Sequence, residues 1–319
     1  MTPQFSLTKT IIQTVMAATA LANSATAAYC APAVEPTATE AAVVVEFPAK
    51  PVYGWIEKHH GATGPGWHGP ATGVLRLDTR CMYDFKASPV ISENLDLLDK
   101  LPANNIVSLW MADCELGDKE LKRLSRFKKL QALTLDSTEI TDDFLEVAGG
   151  LADLRILDIG HTEVKGSGLA HLAKLGKLWN LRISNNPMDP KEFALFGNLK
   201  NLVELDARQT GLTDDGLAAI GKLEQITVLH LGKNQKLTDE GLKKLGALKK
   251  LRNLDIAGSK ITAATLAKMK FPALKMILIS KDQLGKDGDA LLAKAYPGAT
   301  ITHYNPAVRV DLRMFNPLH

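Results

Sequence analysis

The chain has 319 residues, of which 45% are hydrophobic and 23% charged, and its formal net charge is +3 at pH 7. That is enough apolar material for a large core, and a balance so near neutral points to neither nucleic acid nor an anionic membrane as a partner. Three cysteines are too few for a disulfide framework.

In chain order, the first feature is an apolar stretch from Ile11 to Ala22, placed after Lys9 and too short to span a bilayer. Ala25-Thr26-Ala27 then supplies the small residues a signal peptidase needs. Residues 1–27 are therefore expected to be a cleaved signal peptide that sends the protein to the periplasm or outside the cell, with a retained membrane anchor as the alternative. Tyr29 stands before Cys30 where a lipoprotein would carry a small residue, so lipid attachment is not expected. Beyond Asn198 no apolar segment of membrane length appears, and no membrane insertion is expected after cleavage. Residues 28–42, rich in Ala, Pro, Thr and Glu, read as a flexible leader.

Residues 43–103 read as a cap, because the end of a stacked-repeat core must be covered by something atypical. Val43–Phe47 and Val74–Leu77 are expected strands, and Leu95, Leu97, Leu98 and Leu101 an expected helix. His59, His60 and His68 cluster near Trp55 and Trp67 in a glycine-rich stretch. No CxxC or HExxH accompanies them, so they are read as loop residues and no metal or cofactor is expected. Cys114 is read as a buried thiol, with a Cys81 to Cys114 bridge closing the cap as the sharper alternative in an oxidising compartment. Lys122, Arg123, Arg126, Lys128 and Lys129 are expected to be a solvated helix face.

From residue 104 to 302 one unit repeats. It opens at Ile106, Leu130, Leu154, Leu178, Leu202, Ile226, Leu251 and Leu274, with six spacings of 24 or 25 residues and one of 23. Apolar residues recur three and five positions on, as in Leu133 and Leu135 or Leu229 and Leu231, which is the pattern of a short strand with one face buried. A helical set follows, for example Leu212, Leu217, Ile220 and Leu223. Between strand and helix, Thr213-Asp214-Asp215 and its equivalents suit a capped helix start beside the positive end of the helix dipole. At the eighth position come Cys114, Thr138, Thr162, Asn186, Thr210, Asn234, Ser259 and Asp282, expected to point inward and bond neighbouring backbone.

These units resemble leucine-rich repeats, written LxxLxLxx(T/N)x(L/I)TDxGLxxLxxL, and most of all the bacterial form with Thr-Asp-x-Gly-Leu helix starts, itself similar to the repeats of F-box and ribonuclease-inhibitor proteins. The resemblance implies an α/β solenoid, or horseshoe, of about eight repeats with a parallel concave sheet and convex helices. It implies a binding scaffold and leaves the ligand open.

On such a sheet the residue four positions on from each opening faces outward: Trp110, Thr134, Asp158, Arg182, Asp206, His230, Asp255 and Leu278. Arg208 lies in a flanking column. One reading has Asp158, Arg182, Asp206 and His230 pairing with one another on a solvated surface. The other makes the ribbon a recognition surface for a protein partner, with Trp110 and Arg182 or Arg208 as anchors. An architectural envelope role and carbohydrate binding are the alternatives, and the latter favours more exposed aromatics than Trp110 alone. No hydrolase elbow, phosphate loop, dinucleotide motif or zinc-protease motif occurs, and an enzyme is not expected. Residues 303–319 form a tail that folds over the end of the solenoid or extends from it.

Overall fold

The computed structural model describes residues 42–59 and 68–304. The strands are β1 (Ala42–Phe47), β2 (Gly54–Lys58), β3 (His68–Pro70), β4 (Gly73–Asp78), β5 (Tyr83–Ala87), β6 (Ile106–Trp110), β7 (Ala132–Thr134), β8 (Ile156–Asp158), β9 (Asn180–Arg182), β10 (Glu204–Asp206), β11 (Val228–His230), β12 (Asn253–Asp255), β13 (Met276–Ser280) and β14 (Thr300–Tyr304). Twelve of them form one sheet in the order β14 to β5 and then β2 and β3. Every neighbouring pair from β5 to β14 is parallel, as a chain that returns each time through a convex turn requires. Short helices such as Phe144–Gly149 and Asp214–Ile220 line the other side. Between β9 and β10 the return is a 3-10 helix, Pro190–Asn198, that buries Phe193 and Phe196.

The core lies between strands and helices. Leu133, Leu157, Leu181, Leu205, Leu229 and Leu254 and the residues two further on stack as continuous rows that are fully buried. Each such side chain stabilises the fold by about 1.5–3 kcal/mol relative to an exposed one.

Polar ladders lock one repeat to the next. Asn234 accepts from the backbone N–H of Thr210 and Leu212, both at 3.0 Å, and donates to the carbonyls of Ala207 and Leu231 at 2.8 and 2.9 Å. Two repeats earlier Asn186 likewise accepts from the Thr162 N–H at 2.6 Å and donates to the Ile159 carbonyl at 2.7 Å. In the last repeat the position is filled by Gln283, not by Asp282, which is exposed. Gln283 donates to Ile256, Ile261 and Ser259, because a 3-10 turn, Lys281–Gln283, lengthens this unit by one residue.

The Thr-Asp links also act differently from the expectation of simple capping. Asp214 accepts from Thr238 of the next repeat at its backbone N–H (2.9 Å) and hydroxyl (2.6 Å), and Asp118 to Thr141 and Asp239 to Thr262 are equivalent. Thr238 and Thr262 do cap their own helices. The aspartates are thus clamps between repeats more than helix-dipole partners. A further regularity is backbone handedness: Asp113, Ser137, His161, Asn185, Gln209 and Lys233 all have φ between 52° and 61°, and Gly258 continues the row at 72°. The left-handed residue turns the chain off each strand.

In the cap, β1 and β4 pair as an antiparallel ribbon. β2, β3 and β5 extend the main sheet instead of standing apart from it. The expected helix is Asp96–Lys100, with Leu97, Leu98 and Leu101 buried. Arg123 and Arg126, expected in a solvated patch, fasten this helix: Arg123 pairs with Asp99 at 2.8 Å and Arg126 donates to the Asp99 carbonyl at 2.6 Å. Cys81 and Cys114 are both buried and are not bridged to one another. Burial pushes the Cys114 thiol up to about 11. The expected signal peptide, most of the leader, His60, Trp67 and all but two residues of the expected tail lie outside the described residues.

Candidate functional site

Parallel pairing places Lys86, Trp110, Thr134, Asp158, Arg182, Asp206, His230, Asp255, Leu278 and Thr302 opposite one another, one per strand. All the outward residues expected from the repeat therefore share one column. Because β2 pairs with β5, Trp55 joins its N-terminal end beside Lys86. Sequence reasoning missed Trp55 and Lys86, since no repeat signal marks the strands that carry them. Trp55 is 45% exposed, and the Lys86 ammonium sits 5.5 Å over the Trp110 ring, a cation–π contact.

The column is more enclosed than alternation alone implies. Thr134, Asp206, His230 and Asp255 are buried, at 6%, 4%, 4% and 2% exposure, whereas Trp110, Asp158, Arg182 and Arg208 keep partial access to solvent. The reason is lateral crowding: neighbours on adjacent strands lie about 4.8 Å apart, so long side chains roof over short ones. The pairing also differs from a chain of contacts along the column. Arg182 reaches Glu204 at 3.3 Å, and Arg208 grips Asp206 with two donors, Nε at 2.8 Å and Nη2. His230 Nδ1 and Asp255 Oδ2 are 4.0 Å apart.

Charges in this enclosed setting are displaced from their usual ranges. Burial pushes the Asp255 carboxyl up to about 7 and Asp158 up to about 6, and pushes His230 down to about 4. Burial acts on Asp206 in the same upward sense, but the Arg208 guanidinium outweighs it and holds that carboxyl low. Asp255 has its own niche: a Cβ on Gly232 would meet the Asp255 oxygens at 2.8 and 2.9 Å, so only glycine leaves room. His230 is thus neutral near pH 7 and Asp206 ionised.

Beyond the column, His59 Nδ1 lies 2.9 Å from Asp84, which is buried. Burial works against the imidazolium, but Asp84 more than compensates and the His59 pKa is raised. Among the described residues no group of His, Cys, Asp and Glu is arranged to hold a metal ion, and no helix is long and apolar enough to cross a membrane.

A family model described as a leucine-rich repeat region matches residues 88–285. No curated protein matches the chain in sequence. Among solved structures, an internalin (inlF) from Listeria monocytogenes is 19% identical with a TM-score of 0.46, over 63% of this chain and 62% of that one. An internalin C2 from the same organism is 22% identical with a TM-score of 0.45, over 56% of this chain and 72% of that one. The chain thus covers less than two thirds of the first internalin's length.

Proposed function

The chain belongs to the leucine-rich-repeat family, and on that premise we propose that it is an exported binding module recognising a protein partner through the strand face. The observation that supports this most is the single register in which Trp55, Lys86, Trp110, Asp158 and Arg182, flanked by Arg208, bring partly exposed side chains onto adjacent strands. Next to Arg182 in the same register, Asp206 is buried and holds Arg208 in place, and His230 and Asp255 continue the column as buried residues. Trp and Arg dominate interface energetics when they are held in place. From β2 to β10 the column crosses seven strands, or about 29 Å at about 4.8 Å per strand. That footprint suits a macromolecule, and the family is typically one of interaction modules. Export rests on the signal-like segment in residues 1–27.

The test is site-specific photo-cross-linking in cells that make the protein. A cross-linking residue at Trp110 or Arg182 is expected to capture one and the same protein, and one at Leu291, exposed on the helix Gly288–Ala295, is expected not to. Capture from Leu291 alone would refute the assignment to the strand face.

A second reading, carbohydrate binding, is favoured by one observation: Trp110 is not alone, since Trp55 shares its column on the far side of Lys86. Indole faces two strands apart are a platform for sugar rings as well as for peptide. Titration with soluble glycans, followed by tryptophan fluorescence, separates the two. Quenching lost in both Trp55→Ala and Trp110→Ala would support the sugar, and an unchanged spectrum would exclude it.

A further inference from the structure

Where the chain leaves each strand, charge is segregated along the solenoid. The first three repeats place Glu115, Glu139 and Glu163 on this edge, and all three are exposed. The repeats of β11 and β12 place Lys233, Lys236 and Lys260 there, also exposed. Between them β9 and β10 place neutral Asn185, Pro187 and Gln209 at these positions, with Asp189 one step further on, in register with Lys165. Backbone bonds from Glu139 to Leu116, from Glu163 to Ile140 and from Lys260 to Leu237, each 2.9 Å, fix these positions in register from repeat to repeat. None of the six joins a salt bridge among the described residues, whereas lysines on the helix of the β11 repeat do: Lys244 with Asp215 of the preceding repeat and Lys243 with Glu240. Lys165 is an exception at the acidic end.

We infer that this edge is a contact for a second copy of the chain, packed side by side and antiparallel. A row that runs acidic, neutral, basic is complementary to itself only when reversed, and reversal is what a two-fold axis imposes. The acids of one copy then face the lysines of the other twice over, while a parallel arrangement would oppose like charges. The axis must pass near the neutral exits of β9 and β10 and point along the open side of the sheet. Both strand faces consequently look the same way. The six strand steps from Glu115 to Lys260 span about 29 Å. A band about 15 Å wide covers roughly 400 Å² per copy, so the contact belongs with small, transient interfaces and depends on salt. This goes beyond the strand-face proposal and does not depend on it.

Sedimentation of the full mature chain tests it, at about 10 mM and about 1 M salt, where the screening lengths are about 30 and 3 Å. Wild type is expected to dimerise at low salt with a Kd of about 0.1–1 mM and to be monomeric at high salt. Glu115→Lys/Glu139→Lys/Glu163→Lys alone and Lys233→Glu/Lys236→Glu/Lys260→Glu alone are each expected to stay monomeric. Mixed one to one, they become a fully matched pair and are expected to associate at least as tightly as wild type. Since all six side chains are exposed, thermal melts of the variants check that folding is intact. A wild type that stays monomeric at low salt, a dimer that survives either triple substitution, or a mixture that does not associate would overturn the inference. Cross-linking at Trp110 by the monomeric variants would leave the strand-face proposal standing.

Discussion

Replacing Asn234 by alanine should unlock the solenoid between two repeats. The side chain is fully buried and makes four hydrogen bonds, two accepted from backbone N–H groups of the preceding repeat and two donated to carbonyls. Each is worth about 1 kcal/mol net, and a buried group left without its partner costs more, so the loss should be about 3–5 kcal/mol. Thr210→Ala removes the hydroxyl's bond to the Ala207 carbonyl at 2.9 Å and its longer contact with Asn234 Oδ1 at 3.5 Å, and should cost about 1 kcal/mol. Urea unfolding measures both, and native-state hydrogen exchange locates the effect, because the amides of Thr210 and Leu212 lose their acceptor. A stacked-repeat protein opens by neighbouring units, so protection should fall first at those two amides. If Asn234→Ala costs no more than Thr210→Ala, or if its two amides keep their protection, the ladder is not what joins the repeats.

Four other outcomes are expected. Asp214→Ala should lower stability by about 1–2 kcal/mol in urea unfolding, since the clamp on Thr238 is lost, and Asp239→Ala should match it. Gly232→Ala should destabilise, because its Cβ would stand 2.8 Å from Asp255 Oδ2; a neutral result in thermal melts would show that Asp255 can move aside. The folded state keeps Asp158 protonated up to about pH 6 and Asp255 up to about pH 7, while unfolded carboxyls lose their protons near 3.8. Both groups therefore favour the fold at low pH and withdraw that support as pH rises. His230, depressed from 6.5 to about 4, acts in the opposite sense, its support being complete above 6.5 and lost toward pH 4. Two carboxyls outweigh one imidazole, so these groups should make stability fall from about pH 4 to about pH 7 and level off above that, and Asp255→Asn should flatten the slope. In native protein, Cys114 should resist a thiol reagent at pH 8, being buried with its thiol pushed up to about 11, and should react after unfolding.

Much of this fold is legible in the sequence because a repeat writes the same instruction many times. Leu133, Leu157 and Leu181 identify the strands by spacing, and Asn186 and Asn234 identify the inward polar turn by recurrence. What escapes is whatever happens once, or depends on neighbours in space. β2, β3 and β5 carry no repeat, so nothing announces that they extend the sheet and bring Trp55 into line with Trp110. Gln283 replaces Asp282 because one added turn residue shifts the register. The burial of Asp206, His230 and Asp255 is hidden for another reason: alternation says which way a side chain points, not how far Arg182 and Arg208 lean over it. The clamps from Asp118, Asp214 and Asp239 were readable as residues but not as bonds, since their partners lie a whole repeat away.

The row of left-handed residues has a thermodynamic meaning. At these angles a side chain costs roughly 1 kcal/mol over glycine, with asparagine the mildest offender, yet the positions are filled by Asp113, Ser137, His161, Asn185, Gln209 and Lys233. Gly258 shows that the turn itself runs without any side chain. Six glycines here would leave the same path and a less strained ribbon. Whatever the six side chains do, they do from the lip of the sheet, where chemistry has been placed against the backbone's own preference, and that lip is where a library of variants should begin.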